Sequence, residues 1–179
     1  MPDMFDISYL LLWVIVILIS YGVIVILKSA ITARSMLYEQ QEGLPEGVEF
    51  PLNDRIPMDG KALSLTDHGK LGTLIFLTSS QCLACKKLYS VINEVQKKMP
   101  VYQYLFMMSG PEDEVNAAIK QYELRVPIIH VENFKDLQTP FVPFGYYVSP
   151  DGLIKAKGII NNEEHLQALV KHGEERVSA

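Results

Sequence analysis

The pattern of apolar positions separates the first forty residues from the rest of the chain. Residues 7–27 carry no charge and are apolar on every side. A helix needs ~20 apolar residues to cross a bilayer, and a helix apolar all round does not fit the core of a small domain. A cleaved signal peptide would have a positively charged start, which this chain lacks. The pattern therefore predicts one uncleaved transmembrane helix.

Residues 28–41 contain neither Gly nor Pro, and they predict a helical stalk that continues from the anchor. The segment 43–47 (GLPEG) is typical of a boundary because Gly and Pro interrupt regular structure. The sequence thus predicts an anchor and stalk over 1–42, one folded domain over 43–173, and a flexible tail over 174–179.

Within the domain, apolar runs alternate with stretches of helical periodicity. Residues 71–78 are continuously apolar, which is typical of a strand buried on both faces. Residues 82–99 place apolar side chains at helical spacing. We expect short strands or extended segments at 50–55 and 61–65, and strands at 71–78, 101–108, 125–131, 145–148 and 153–159. We expect helices at 82–99, at 111–122 and after a cap at Asn161 or Asn162. This order predicts an α/β fold with a mixed sheet covered on both faces.

Composition narrows the function classes. The chain has 16 Lys and Arg against 21 Asp and Glu, a net charge of −5, which argues against nucleic acid as a partner. Two cysteines cannot form the framework of a disulfide-stapled secreted fold. No glycine-rich phosphate loop is present, and we expect no cofactor.

Both cysteines belong to one motif, Cys82-Leu83-Ala84-Cys85, where the buried strand ends and a helix begins. A thiol in the first turn of a helix faces unpaired backbone N–H groups and the positive end of the helix dipole, and both stabilise the reactive thiolate. Cys85 falls on the apolar stripe of that helix. The motif predicts a redox pair in which Cys82 attacks and Cys85 resolves the mixed disulfide.

Other uses of two cysteines fit this sequence less well. A structural zinc site needs a second pair of ligands, and the histidines (His68, His130, His165, His172) lack ligand spacing. Haem attachment needs a histidine after the second cysteine, where Lys86 stands. Two inert, buried cysteines have no reason to prefer the junction of a strand and a helix. No metal site is expected.

The strand LIFLTSSQC, the CxxCK helix and the later segment VPFGYYVSPDG resemble the membrane-anchored, thioredoxin-fold proteins of the TlpA/redoxin kind. In that family a cis-proline starts a strand, and Pro143 matches it by its spacing to Gly152. An anchor containing LLW, a CxxCKKL motif and the segment 157–166 (KGIINNEEHL) are most similar to the subfamily that matures methylamine dehydrogenase, the MauD type. The likeness runs over most of residues 8–170.

The resemblance implies a thiol-disulfide oxidoreductase with catalytic Cys82 and Cys85 and with Val142 and Pro143 binding substrate. It implies a protein client with thiols or disulfides, such as a dehydrogenase subunit, and a redox partner that the sequence does not identify. Gln81 stands where family members have Trp, and residues 71–78 contain no carboxylate to act as a buried base. These departures leave the direction of the redox reaction open.

Alternative functions stay open at this point. One is a thiol reductase of the cytochrome c maturation type, a second is a non-catalytic assembly factor, and a third is copper binding by Cys82, Cys85 and a histidine such as His130. Membrane orientation has two readings as well. Lys28 and Arg34 after the anchor favour a cytoplasmic domain by the positive-inside rule. The resemblance implies the extracytoplasmic side of the cell membrane, and we expect that side.

Overall fold

A computed structural model describes residue 9 and residues 11–26, 42–52, 55–61, 63–65 and 69–178. The chain divides into two compact units, Met1–Glu39 and Gln40–Ala179. In the first unit, residues 11–26 are helical, and their side chains are almost all exposed. None of the helices formed by the described residues combines the length and the apolarity needed to cross a bilayer. The ends of the predicted anchor and the predicted stalk lie outside the described residues.

The second unit alternates strands and helices in the predicted order. The strands are β1 (Thr73–Ser79), β2 (Gln103–Ser109), β3 (Ile128–Val131), β4 (Phe144–Val148) and β5 (Ile154–Ile159), and the helices are α1 (Leu83–Lys98), α2 (Glu112–Gln121) and α3 (Glu163–Val177). A short 3-10 turn, Lys135–Leu137, precedes β4. These bounds agree with the predicted elements to within a few residues.

The described strands form one five-stranded sheet in the order β3-β2-β1-β4-β5. β1 pairs in parallel with β2, and β2 pairs in parallel with β3. β4 runs antiparallel to both β1 and β5. The sheet is therefore mixed, as predicted, and β1 lies at its centre with the dithiol motif directly after its end.

Alternate residues of the central strand point to opposite faces of the sheet, and the two faces have different covers. Leu74 and Phe76 belong to a core cluster that includes the buried side chains of α1, α2 and α3. Ile75 and Leu77 belong to a second cluster on the other face. Helices α1, α2 and α3 thus pack on the same face of the sheet, and α1 is the helix that carries the dithiol motif.

The second face is covered without an α-helix in the described part of the chain. Its cover comes from the segment after the domain boundary and from the segment around the 3-10 turn, with Leu44, Phe50, Leu65, Phe134 and Leu137 buried against the sheet. Both faces are covered, as predicted. The predicted segments at 50–55 and 61–65, as far as they are described, form no strand. An isolated bridge between Glu49 and Leu153 lies just before the first of them.

The final helix begins where it was predicted. The Asn162 side chain caps it by accepting a hydrogen bond from the backbone N–H of His165 at 2.8 Å. The helix continues to Val177, so residues 174–177 of the predicted flexible tail are helical. Gly173 is buried against the ring of Tyr147, so this glycine serves close packing and does not end the helix.

Candidate active site

The dithiol motif lies at the junction of β1 and α1. Cys82 is the N-cap residue of α1, with extended backbone angles, and its Sγ accepts a hydrogen bond from the backbone N–H of Cys85 at 3.1 Å. The two cysteines form a disulfide with their Cα atoms 5.2 Å apart. The first sulfur therefore occupies the place of a capping oxygen, where an anion is favoured by unpaired N–H groups and the helix dipole.

The two sulfur atoms differ in their access to solvent. Cys85 is fully buried among the apolar side chains of the helical core cluster. Cys82 is only half-buried, and the side chain of Leu83 beside it is 77 % exposed. Cys82 is therefore the more exposed cysteine of the pair.

A second chain segment approaches the disulfide from the start of β4. The Val142–Pro143 peptide bond is cis, as predicted. The carbonyl oxygen of Val142 lies 3.7 Å from the Sγ of Cys82. Val142 is half-buried and Pro143 is buried. The structure thus brings together Cys82, Cys85, Val142 and Pro143, which the sequence placed in the site; their roles in catalysis and substrate binding stay predictions.

A carboxylate reaches the motif from α2, and the sequence analysis did not identify it. The Ser80 hydroxyl donates a hydrogen bond to Oε2 of Glu114 at 2.9 Å. The Gln81 side-chain amide donates to Oε1 of the same carboxylate at 3.2 Å. Ser80 and Gln81 directly precede Cys82. Hydrogen bonds to the Glu114 carboxylate therefore fix the two residues that precede Cys82.

The ends of the neighbouring strands hold the same segment through backbone bonds. The backbone N–H of Ser80 donates to the carbonyl of Ser109 at 3.0 Å. Gly110 has a φ of +131°, and a side chain at this position would collide with Ser80. Nε2 of His130 lies 2.8 Å from the carbonyl oxygen of Gly110. The ring of His130 thus contacts the loop after β2.

In the part of the chain that the structure describes, no three His, Cys, Asp or Glu side chains come together in a group that could hold a metal ion. His68, one of the histidines considered above, lies outside the described residues.

A buried tyrosine on α1 is hydrogen-bonded to the end of β1. The hydroxyl of Tyr89, on α1, donates a hydrogen bond to the carbonyl of Ser79 at 3.2 Å. Burial raises the pKa of Tyr89 to about 12, so this hydroxyl keeps its proton at neutral pH. The bond ties the end of the strand to the helix that carries the disulfide.

Comparison with known sequences gives relatives of one name. No family model matches the chain. A methylamine utilization protein MauD from Paracoccus versutus is 24 % identical over 178 residues, which cover 92 % of this chain and 86 % of that protein. A protein of the same name from Methylorubrum extorquens is 26 % identical over 181 residues, covering 92 % and 84 %. The chain is therefore similar to MauD along most of its length.

Solved structures share the fold. The thioredoxin domain of a thiol-disulfide oxidoreductase from Bacteroides vulgatus superposes with a TM-score of 0.59 at 20 % identity, covering 72 % of this chain and 97 % of that one. StoA from Bacillus subtilis superposes with a TM-score of 0.54 at 19 % identity, covering 65 % and 93 %. The fold is thioredoxin-like. The fold and the named relatives together support a thiol-disulfide oxidoreductase.

Proposed function

We propose that this protein is a membrane-anchored thiol-disulfide oxidoreductase that forms or corrects disulfides in an extracytoplasmic client protein. The observation that carries the proposal is the asymmetry of the disulfide. The accessible sulfur of Cys82 caps a helix and lies beside the Val142 carbonyl, whereas the sulfur of Cys85 is buried behind it. One sulfur is placed for exchange with a large substrate, and the other for internal exchange only.

In the oxidising direction, a client thiolate attacks Sγ of Cys82, a client–Cys82 disulfide forms, and the electron pair of the broken bond leaves on Cys85. A second client thiolate then attacks the client sulfur of that mixed disulfide and releases Cys82 as a thiolate. The client gains a disulfide, and the protein keeps two electrons as its dithiol, which a redox partner must reoxidise. The reverse sequence reduces a client disulfide.

The thiolate formed on Cys82 is stabilised by its place in the fold. The N–H of Cys85 already points at the Cys82 sulfur, and the first turn of α1 supplies the positive end of the helix dipole. Such sites lower cysteine pKa values well below ~8.5 in other thiol enzymes, which makes the thiol a better leaving group and a larger fraction of it reactive.

The surface around Cys82 suits a protein client. Leu83 is exposed and Val142 is half-buried, so apolar side chains flank the reactive sulfur. The Val142 carbonyl beside the sulfur is a main-chain acceptor that an extended client segment can use. Pro143 follows it and has no N–H to donate. We propose that Val142 and Pro143 position the client backbone against Cys82.

Anchoring and client identity are further parts of the proposal. The uncharged run 7–27 has the length of a membrane span, and the helical residues 11–26 expose apolar side chains. The similarity to methylamine utilization proteins suggests a client in methylamine oxidation, such as a dehydrogenase subunit that contains disulfides. We place the thioredoxin-like domain on the extracytoplasmic side, where disulfides persist.

Trapping the client tests this function. Replacing Cys85 by Ser leaves Cys82 able to form a mixed disulfide that nothing inside the protein resolves. Membranes that carry Cys85→Ser should therefore yield a covalent complex with the client. Dithiothreitol should separate this complex by reducing its disulfide. Mass spectrometry of the complex identifies the client and the cysteine through which it is bound.

Cys82→Ser is the matched control, and it should trap nothing, because Cys85 is buried. A complex with Cys82→Ser, or faster alkylation of Cys85 than of Cys82 in the reduced protein, would reverse the proposed roles. A variant with both cysteines replaced that still supports client maturation would show a non-catalytic assembly factor. A trapped haem-attachment protein in place of a dehydrogenase subunit would assign the reducing function.

A further inference from the structure

The hydrogen bonds of Glu114 join helix α2 to the segment before Cys82, which is distant from it in sequence. Glu114 lies in the first turn of α2, and its partners Ser80 and Gln81 lie just before Cys82. Acidic residues in the first turn of a helix have a local explanation in the helix dipole. Glu112 and Asp113 fit that explanation, since both are exposed. Glu114 does more, because both of its oxygens accept bonds from the dithiol segment.

The environment of this carboxylate favours a fixed position. Glu114 is half-buried, and Ser80 is buried. The backbone of Ser80 is itself held by the carbonyl of Ser109. The negative charge is therefore held against the residues next to Cys82 and is not free to move away into solvent, so it is screened less than the charge of an exposed side chain.

We propose that Glu114 is a positioning residue that holds the segment before Cys82 and, through its charge, lowers the reduction potential of the Cys82–Cys85 pair. The proposal rests on the proposed function, because it requires a pair that is oxidised and reduced reversibly. It also supplies a carboxylate near the dithiol, which the strand 71–78 lacks.

The direction of the effect follows from the charges of the two redox states. Two glutathione thiols reduce the disulfide: they give two electrons and two protons, and they become glutathione disulfide. One of the two protons goes to solvent when Cys82 remains a thiolate. The oxidised pair is neutral and the reduced pair then carries a negative charge. A fixed carboxylate nearby repels that charge and disfavours the reduced pair.

Redox titration of the full-length protein in detergent against glutathione buffers tests the proposal. Glu114→Gln removes the charge and can keep both hydrogen bonds. The new amide oxygen accepts from Ser80, and the new amide N–H donates to the Gln81 side-chain oxygen once the Gln81 amide has flipped. We expect the equilibrium constant for reduction by glutathione to rise at least threefold, which corresponds to a potential about 14 mV higher. Glu112→Gln is the matched control, with the same change of net charge on the same helix, and it should change the constant by less than 1.5-fold.

Glu114→Asp separates charge from structure. The shorter side chain keeps the charge and cannot reach both donors. If charge acts as proposed, Glu114→Asp stays closer to the wild-type potential than Glu114→Gln does. If the carboxylate only braces the loop, the order is reversed, and the proposal is wrong.

Two further outcomes distinguish this inference from the proposed function. A wild-type pair that does not equilibrate with glutathione at all overturns both. A wild-type pair that equilibrates normally while Glu114→Gln titrates like Glu112→Gln overturns only the role of Glu114.

Discussion

The carbonyl oxygen of Val142 lies 3.7 Å from the sulfur of Cys82, so residue 142 is a position from which a side-chain charge can be tested against the thiolate. We expect Val142→Asp to move the pH midpoint for alkylation of reduced Cys82 upward by roughly one pH unit, because a nearby carboxylate favours the uncharged thiol. Val142→Asn has nearly the same shape without the charge, and should move the midpoint much less. Equal midpoints for the two variants would show that only the packing of Val142 matters. The measurement is the rate of iodoacetamide labelling as a function of pH after mild reduction.

Gly173 provides a test of packing on the helical face. A methyl group at this position would meet ring atoms of Tyr147, which is buried and whose hydroxyl donates to the carbonyl of Leu71 at 2.8 Å. Overpacking of this kind costs roughly 1–3 kcal/mol, and the better helix propensity of alanine returns up to ~1 kcal/mol. We expect Gly173→Ala to lower the free energy of unfolding in urea by roughly 1–2 kcal/mol.

Ala168→Gly is the control for helix propensity on the same helix, since Ala168 is exposed. It should cost up to ~1 kcal/mol. We thus expect both substitutions to destabilise the protein, although Gly173→Ala replaces glycine by alanine and Ala168→Gly replaces alanine by glycine. An increase in stability for Gly173→Ala would mean that Tyr147 moves aside easily.

Several buried tyrosines predict a loss of stability at alkaline pH. Burial raises the pKa of Tyr104 from 10.0 to about 12, and similar values hold for Tyr89, Tyr146 and Tyr147. Above pH 10 the unfolded chain loses these protons while the folded chain keeps them, so the folded state binds more protons. The stabilisation is therefore complete below pH 10 and is lost as pH rises toward 12. Urea titrations of the oxidised protein from pH 9 to 12 measure it.

Tyr104→Phe isolates one of these groups. Its hydroxyl donates to the carbonyl of Met99 at 2.9 Å, so the variant should lose about 1 kcal/mol at neutral pH. Between pH 10 and 12 its stability should fall less steeply than that of the wild type, by up to ~1.4 kcal/mol per pH unit. An unchanged slope would mean that Tyr104 ionises in the folded protein as easily as in the unfolded chain.

Membrane orientation is decided by a fusion experiment. A reporter that is active only outside the cytoplasm, fused after Ala179, should be active, and a reporter that is active only in the cytoplasm should be silent. Lys28 and Arg34 favour the opposite result by the positive-inside rule, whereas Asp3 and Asp6 on the other flank contribute little to that rule. Activity of the cytoplasmic reporter alone would reverse the proposed location.

The regular elements were accessible from sequence because local patterns determine them. The continuous apolar run of β1 predicts a buried strand, and the helical spacing of apolar residues in α1 predicts a helix with one buried side. The dithiol junction follows directly from the order of these two elements. The cover of the second face was not accessible in this way, because the residues around Phe50 and Leu137 have no periodicity and are positioned by contacts distant in sequence.

Glu114 and Gly173 show why a local explanation can hide a tertiary one. The first-turn acids of α2 satisfy the helix dipole, so nothing in the sequence marks one of them as a partner of Ser80 and Gln81. Gly173 directly precedes the predicted tail, and a glycine in such a place is typical of a helix end, yet the helix continues to Val177. The actual cause of this glycine, the ring of Tyr147, is on another element. A signal was present in Gln81, a polar residue at the position where the related family has Trp.

The unequal covers of the sheet have a consequence for local opening of the domain. The segment after the domain boundary is held to the second face by separate long-range hydrogen bonds, such as those from Gly43 to Gln138 and from Phe50 to Gly152, and not by a continuous ladder. Such a layer opens at a lower free energy than the central strands, and its amide hydrogens exchange sooner. Because α1 packs on the opposite face, the dithiol stays in place during this opening. We therefore expect a partly open form to expose the apolar side chains of Phe144 and Tyr146 while the dithiol keeps its ability to exchange disulfides.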